Sequence, residues 1–208
     1  MCFSATASFI AGGALTAAGI LTLKTNNNKR GILLASMPLL FGIQQFMEGI
    51  VWITPISSPW HQIATYAFLS FALVLWPFFI PLSIFLIEKN EVRKRIISYC
   101  LILGCAIAVY SIFLLILNPI NSNVCANSIR YIVNEPHVTT AIILYVIATV
   151  GGALASSHKM VFILGMVLAL SLLISLQFYK YTFISVWCFF GAVLSLIIYL
   201  HFRKTAAK

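Results

Sequence analysis

Long apolar runs dominate this chain and decide what it can fold into. Seven stretches are nearly free of charge, and each is close to the roughly 20 residues that a helix needs to cross a hydrocarbon core about 30 Å thick. They are Phe3–Leu23, Gly31–Ile53, Gln62–Ile87, Ile96–Leu117, Val138–Ser157, Met160–Phe178 and Thr182–Phe202. Only 8% of the residues are charged, against about 25% in a soluble domain. We therefore expect an all-α, polytopic membrane protein, with residues 1–208 forming a single domain of seven transmembrane helices.

The basic residues orient this expected bundle. Of the 13 Lys and Arg residues, all but Arg130 and Lys180 fall on one side of it, in connections or in the carboxyl-terminal tail. Cytoplasmic loops collect Lys and Arg, so we expect the amino terminus outside and the carboxyl terminus inside a multi-pass protein of the inner (plasma) membrane. The net charge of +9 then reflects topology and contact with the anionic lipids of the bilayer, and we expect no nucleic-acid partner.

Glu48 is the one acidic residue inside any of the seven runs. An ionisable group within a bilayer costs roughly 2.5 to 3.5 kcal/mol and by default marks a functional site. At 1.5 Å per residue, Glu48 lies roughly 7 to 8 Å below the outer boundary. Gln44, Gln45 and Trp52 share its helical face by their spacing, which predicts a polar stripe that ends in an aromatic ring.

Further polar residues occupy the same outer level. Ser185, Trp187 and Cys188 begin the seventh run, and Ser4 begins the first. We therefore predict an outward-facing polar pocket around Glu48 that binds a small molecule, a cation or a metal, with the carboxylate as counter-charge and the tryptophans as cation–π walls. In the alternative reading, the hydroxyls bond their own helices, the glutamines clamp neighbouring helices, and Glu48 is buried and protonated.

The cysteines allow two further hypotheses. Cys2, Glu48 and Cys188 are a possible ligand set for zinc or copper, and removal of Met1 would give Cys2 a free α-amino group as its own base. Cys2 and Cys125 both fall on the outer side, where a disulfide can persist, and the sequence leaves that pairing open. His61 and His137, at outer helix ends, could join the zinc or copper ligand set, although lone interfacial histidines are more often solvated.

The longest connection, Asn118–His137, lies on the outer side. Ile129, Tyr131, Ile132 and Val133 place apolar groups among its polar residues, which is typical of an interfacial helix or a lid. An ordinary connection is the alternative. In the third run, Trp76, Pro77 and Pro81 predict a kink that serves either as a hinge or as a packing adjustment.

Several sequence strings resemble a known family. They are MCFSATASF (1–9), PLLFGIQQFMEGIVW (38–52), WPFFIP (76–81), NSIRY (127–131) and SVWCFF (185–190). The resemblance covers essentially the whole chain and is to small bacterial and archaeal seven-helix membrane proteins of unknown function that begin Met-Cys-Phe-Ser-Ala. It implies no activity, but it adds Arg130 and Tyr131 to the candidate binding residues.

Three function classes stay open at this point. The first is a binding or sensory membrane protein with its pocket around Glu48. The second is a small secondary transporter that uses Glu48 as a proton or cation site, and a more distant third is an exofacial enzyme with Cys2 or Glu48 in catalysis. A retinal protein is excluded because the seventh run contains no lysine for a Schiff base, and the sequence does not identify an oligomeric state.

Overall fold

A computed structural model describes residues 4–125 and 128–206. Within these ranges the chain forms seven helices and one β-hairpin. The helices are α1 (Ala5–Thr25), α2 (Ile32–Ile53), α3 (Pro59–Ile87), α4 (Glu91–Leu117), α5 (Val138–Leu154), α6 (Lys159–Phe178) and α7 (Phe183–Ala206). The hairpin pairs β1 (Asn121–Cys125) with β2 (Ser128–Ile132). All the helices except the shorter α5 are long and apolar enough to cross a membrane, so the helical, membrane-type fold is confirmed at this level.

Helix ends differ from the predicted runs where side chains fix them. The Asn90 side chain accepts a hydrogen bond from the backbone N–H of Arg93 at 3.1 Å, and α4 therefore begins at Glu91, five residues before the apolar run. Similarly, Ser58 caps α3 ahead of Pro59, three residues before the predicted start. Hydropathy did not detect these starts because the first turn of each helix is polar.

Consecutive helices run in opposite directions, so the connections between them lie alternately at the two ends of the bundle. Phe9 near the start of α1 lies against Gly49 near the end of α2, while Gly19 packs on Leu39 farther along both helices. We call the end that carries the β-hairpin the hairpin end. The other, called the basic end, holds the α1–α2, α3–α4 and α5–α6 connections with most of the Lys and Arg residues.

Five helices surround the centre of the bundle. In order around the ring, α2 contacts α3, α3 contacts α5, α5 contacts α6, α6 contacts α7, and α7 returns to α2. The remaining two pack outside it, α1 on α2 and α7, and α4 on α3 and α5. On α4, a side chain at Gly104 would overlap the carbonyl oxygen of Pro77, so glycine permits this close approach.

Two ring helices contain a turn of π-helix, Ser70–Leu75 in α3 and Ile147–Gly151 in α5. In α3 the N–H of Trp76 reaches back to the carbonyl of Phe71, which leaves the Ala72 carbonyl without its usual helical donor. The next residue, Pro77, has no N–H to offer. The Tyr145 hydroxyl of α5 donates to this carbonyl at 2.6 Å, so the predicted irregularity in α3 is a π turn closed by a neighbouring helix.

Candidate functional site

The Glu48 side chain is fully buried in the hairpin-end half of the bundle. It points from α2 toward α7, where the Ser185 hydroxyl donates to its Oε1 at 2.5 Å. This contact joins residues 137 positions apart in sequence. The predicted meeting of Glu48 and Ser185 at one depth is therefore observed as a direct hydrogen bond between two ring helices.

The two glutamines of α2 extend this polar cluster. The Trp76 indole N–H donates to Gln44 Oε1 at 2.8 Å, which ties α2 to α3. Cys188, one turn after Ser185 on α7, lies beside the Gln44 amide and within electrostatic range of Glu48. Gln45 is as fully buried as its neighbour. We define the polar cluster as Gln44, Gln45, Glu48, Ser185 and Cys188.

Several buried polar atoms at this site have no hydrogen-bond partner in the described part of the chain. They are both amide atoms of Gln45, the Gln44 Nε2 and the Trp52 Nε1. Each such group costs about 1 to 3 kcal/mol when nothing replaces its hydrogen bonds to water. Gln44 joins two helices through Trp76, as the alternative expects, whereas the Gln45 amide has no hydrogen-bond partner among the described residues.

The hairpin covers this end of the bundle. Ile129 and Tyr131 of β2 are buried, and Tyr131 stacks on Phe68 of α3 with ring centroids 4.6 Å apart. Tyr131 and Cys188 belong to the same packed group of side chains. The predicted interfacial helix is therefore wrong, because the segment forms paired strands whose alternating residues face inward. Arg130, between the two buried residues, is exposed and lies over the Tyr181 ring at 5.4 Å, so it does not join the polar cluster.

His61 fastens the hairpin to the helices, and its predicted solvation is wrong. The ring is 1% exposed. Its Nδ1 lies 3.1 Å from the carbonyl oxygen of Thr54 at the end of α2. Its Nε2 lies 2.9 Å from the Ser122 hydroxyl of β1, which also contacts the Thr65 hydroxyl at 2.7 Å. Sequence reasoning missed this role because Ser122 is distant in sequence and carries no recognisable motif.

The remaining predicted site residues have other environments. Ser4 caps α1 by accepting from the Ala7 N–H at 3.2 Å. Trp187 lies between Phe183 and Tyr145, on the side of α7 that faces the bundle centre. Trp52 packs with the side chains beneath the hairpin.

The hypotheses on Cys2 fall on a residue outside the described ranges. Within residues 4–125 and 128–206, no group of three His, Cys, Asp or Glu side chains could hold a metal ion. Cys188, the second thiol of the predicted ligand set, is buried in α7. Cys125 is exposed at the end of β1 and carries a free thiol.

Glu88 is a second buried carboxylate, at the basic end, that the sequence did not single out. Its Oε1 accepts hydrogen bonds from the N–H groups of Lys89 and Asn90 and from the Ser157 hydroxyl. Its Oε2 accepts from the Ser156 hydroxyl and the Ser157 N–H. Burial alone would raise the pKa of Glu88, but these hydrogen bonds lower it from 4.5 to about 2. Every contact is to a helix end or a turn, so the Glu88 carboxylate holds the α3–α4 connection and the α5–α6 connection together.

An apolar cavity occupies the centre of the five-helix ring. Its volume is about 90 Å³, and Trp76 and Cys188 form its wall nearest the polar cluster. Sequence reasoning did not predict this space, because its lining comes from five separate helices. The nearest signal in the sequence is that the basic-end halves of these helices contain mostly apolar residues, which predicts an apolar lining but not a cavity.

Comparison with known proteins gives a family and no function. No curated protein and no solved structure matches the chain. One family model matches residues 1–208, and its description is "Family of unknown function (DUF6629)". The match agrees with a resemblance that runs through the whole sequence, and the chain belongs to this family of unknown function.

Proposed function

We propose that this protein is a multi-pass membrane protein that binds a small polar or cationic molecule in the polar cluster around Glu48. The single observation that carries the proposal is the set of buried, unpartnered amide and indole atoms beside this carboxylate. A bound molecule with its own donors and acceptors would replace the missing hydrogen bonds. The carboxylate would supply the counter-charge for a cation in this apolar surrounding.

Access to the cluster requires movement of the hairpin or of a neighbouring helix. The polar side chains of α2 are fully buried, and β2 packs over this end of the bundle. We propose that the hairpin acts as a lid, fastened by hydrogen bonds from His61 and Gln62 to Ser122 and Ile120. With the amino terminus outside, as the basic residues indicate, this lid faces the exterior and the ligand arrives from there.

The binding test uses protein in lipid nanodiscs and four probes: methylammonium, guanidinium and tetramethylammonium chlorides, with sodium chloride as the ionic-strength control. We expect at least one organic cation to raise the thermal unfolding temperature in a saturable way, and Glu48→Gln to abolish the effect. Gln45→Met should weaken it while leaving the fold intact. Gln177→Met, on an exposed site near the end of α6, is the matched control and should behave as wild type.

An opposite result is equally informative. If Gln45→Met simply raises the unfolding temperature and no probe discriminates wild type from Glu48→Gln, the unpartnered atoms are an uncompensated cost and not a binding site. That result would contradict the proposed binding function.

A second candidate, transport, is favoured by the π turns in α3 and α5. Such turns are frequent at functional sites, and here they lie on helices that line the central cavity. In proteoliposomes, a proton or methylammonium flux that disappears in Glu48→Gln would support transport. Saturable stabilisation without flux would favour binding alone.

A further inference from the structure

The central cavity and the polar cluster adjoin each other. Trp76 lines the cavity while its indole N–H donates to Gln44. Cys188 also lines the cavity and lies beside the Gln44 amide, close to Glu48. Cys188 therefore belongs to both, and the Trp76 ring lies between Gln44 and the cavity. A head group held by the polar cluster would lie at the hairpin end of the cavity.

The cavity walls offer almost nothing to a polar ligand. The three hydroxyls that line it already donate within the protein: Tyr145 to the Ala72 carbonyl, Thr149 to the Tyr145 carbonyl and Ser195 to the Ala192 carbonyl. A volume of about 90 Å³ exceeds the 10 to 15 Å³ or so that one water needs, yet apolar cavities of this kind stay dry and accept apolar guests. An apolar guest therefore fits this cavity better than water does.

The shape of the cavity favours a linear chain. On α7 the lining extends from Trp187 to Ile198, which corresponds to about 16 Å along the helix axis at 1.5 Å per residue. A volume of about 90 Å³ spread over that length is narrow. A single extended chain fits such a space, whereas a fused-ring molecule would need greater width.

We infer that the ligand is a single-chain amphiphile with a protonated amine head, its tail in the cavity and its head in the polar cluster. The inference rests on the proposed function for its head site and adds the tail site. Burial of each methylene group contributes about 0.8 kcal/mol, so affinity should rise steeply with chain length until the cavity is filled. The carboxylate of Glu48 selects a cationic head over an anionic one.

The test compares decylamine, methylamine and decanoate on nanodisc-embedded protein, with the half-maximal concentration for thermal stabilisation as the measurement. Decylamine should act at least about tenfold below methylamine, and decanoate should not stabilise the protein. Leu164→Trp places a bulkier side chain in the cavity wall. It should remove the preference for decylamine while keeping the response to methylamine. Leu170→Trp, on the exposed face of the same helix, is the matched control. Leu194→Phe, which changes the cavity lining on the neighbouring helix α7, serves if the first variant does not fold.

The outcomes separate the two proposals. Equal half-maximal concentrations for decylamine and methylamine, or no difference between Leu164→Trp and Leu170→Trp, would overturn the tail site while the head site stands. Equal stabilisation by decylamine and decanoate would overturn the cationic head. If none of the amines stabilises wild type and Glu48→Gln behaves identically, the proposed function itself fails.

Discussion

The four acidic residues in this chain have different environments, because each has different partners. Glu48 and Glu88 are both buried, but Glu88 accepts five hydrogen bonds from turns and helix ends. Glu91 begins α4 at the surface, and Glu135 accepts from Tyr110 and from the His137 N–H near the hairpin. Glu88 therefore contributes to stability, whereas Glu48 accepts a hydrogen bond from the Ser185 hydroxyl and is the carboxylate of the proposed binding site.

Replacement of Glu88 should destabilise the protein strongly. In Glu88→Gln, an amide NH₂ would face backbone and hydroxyl donors that now meet a carboxylate oxygen, and we expect a loss of about 2 to 3 kcal/mol. Thermal unfolding in detergent or nanodiscs measures it. Glu91→Gln, three residues later and exposed, is the matched control and should change stability by less than about 1 kcal/mol. Equal effects of the two changes would contradict the role assigned to Glu88.

The same residue predicts an acid dependence. The pKa of Glu88 is lowered in the folded protein to about 2 from its ordinary value of 4.5. A lowered folded-state pKa gives stability that is fully present above pH 4.5 and is lost as the pH falls toward 2. The unfolding temperature of wild type should therefore drop over this window, and the drop should be smaller in Glu88→Gln.

His61 should control the stability of the hairpin without affecting the rest of the bundle. His61→Leu removes the ring contacts to the Thr54 carbonyl and to Ser122, so local opening of β1 should become more frequent. We expect its amides to exchange hydrogen about tenfold faster, which corresponds to about 1.4 kcal/mol. His137→Leu, at an exposed position, should leave exchange unchanged. Unchanged protection of β1 in His61→Leu would show that Tyr131 packing alone holds the hairpin.

Among the elements, α3 shows how a helix keeps a π turn inside an apolar bundle. The π turn shifts the Trp76 N–H to the carbonyl of Phe71, and Pro77 has no N–H with which to serve the Ala72 carbonyl. A buried carbonyl without a donor is costly, and the Tyr145 hydroxyl supplies one from α5. Two helices with irregular turns therefore stabilise each other at the cavity wall.

Tyr145→Phe tests whether the Tyr145 hydroxyl stabilises the π turn of α3. The change removes one oxygen atom and leaves the ring and its contact with Trp187 in place. The Ala72 carbonyl then has no donor, and we expect a loss of about 1 to 3 kcal/mol in the free energy of unfolding. Tyr99→Phe, on an exposed face of α4, should change stability little. A neutral Tyr145→Phe would mean that the π turn finds another donor.

The elements also show which parts of the fold a sequence can predict. All seven helices coincide with apolar runs, because run length and hydropathy are local properties. The hairpin was not predicted, although Ile129 and Tyr131 alternate with Arg130 as in a strand, because each strand has only five residues. For the candidate site, the helical rise placed Glu48 and Ser185 at one depth. The roles of His61 and Glu88 depend on partners more than 60 residues away in sequence, which no local pattern reveals.

For the whole molecule, the decisive question is whether α5 crosses the membrane. It is shorter than the other helices, yet it packs along α3 from Ala72 near the middle of that helix to Pro81 farther toward the basic end, and it is a member of the five-helix ring. Its 17 residues, Val138–Leu154, reach the lower end of the roughly 17 to 25 that a spanning helix needs, and a bilayer thins locally around a short apolar helix. We therefore expect seven crossings, with the segments before and after α5 on opposite sides of the membrane.

Cysteine labelling in intact cells tests this expectation directly. Cys125, exposed in the hairpin before α5, should react with a membrane-impermeant maleimide added outside when the other cysteines are replaced by serine. Cysteine placed at the exposed Lys159, just after α5, should react only after permeabilisation, because basic connections stay in the cytoplasm. The same result is expected for Asn27→Cys in the α1–α2 connection. Labelling of both Cys125 and Lys159→Cys from outside would show that α5 does not cross. Labelling of Asn27→Cys and Lys159→Cys from outside, with Cys125 unreactive, would show that the bundle has the opposite orientation and that the hairpin lies in the cytoplasm.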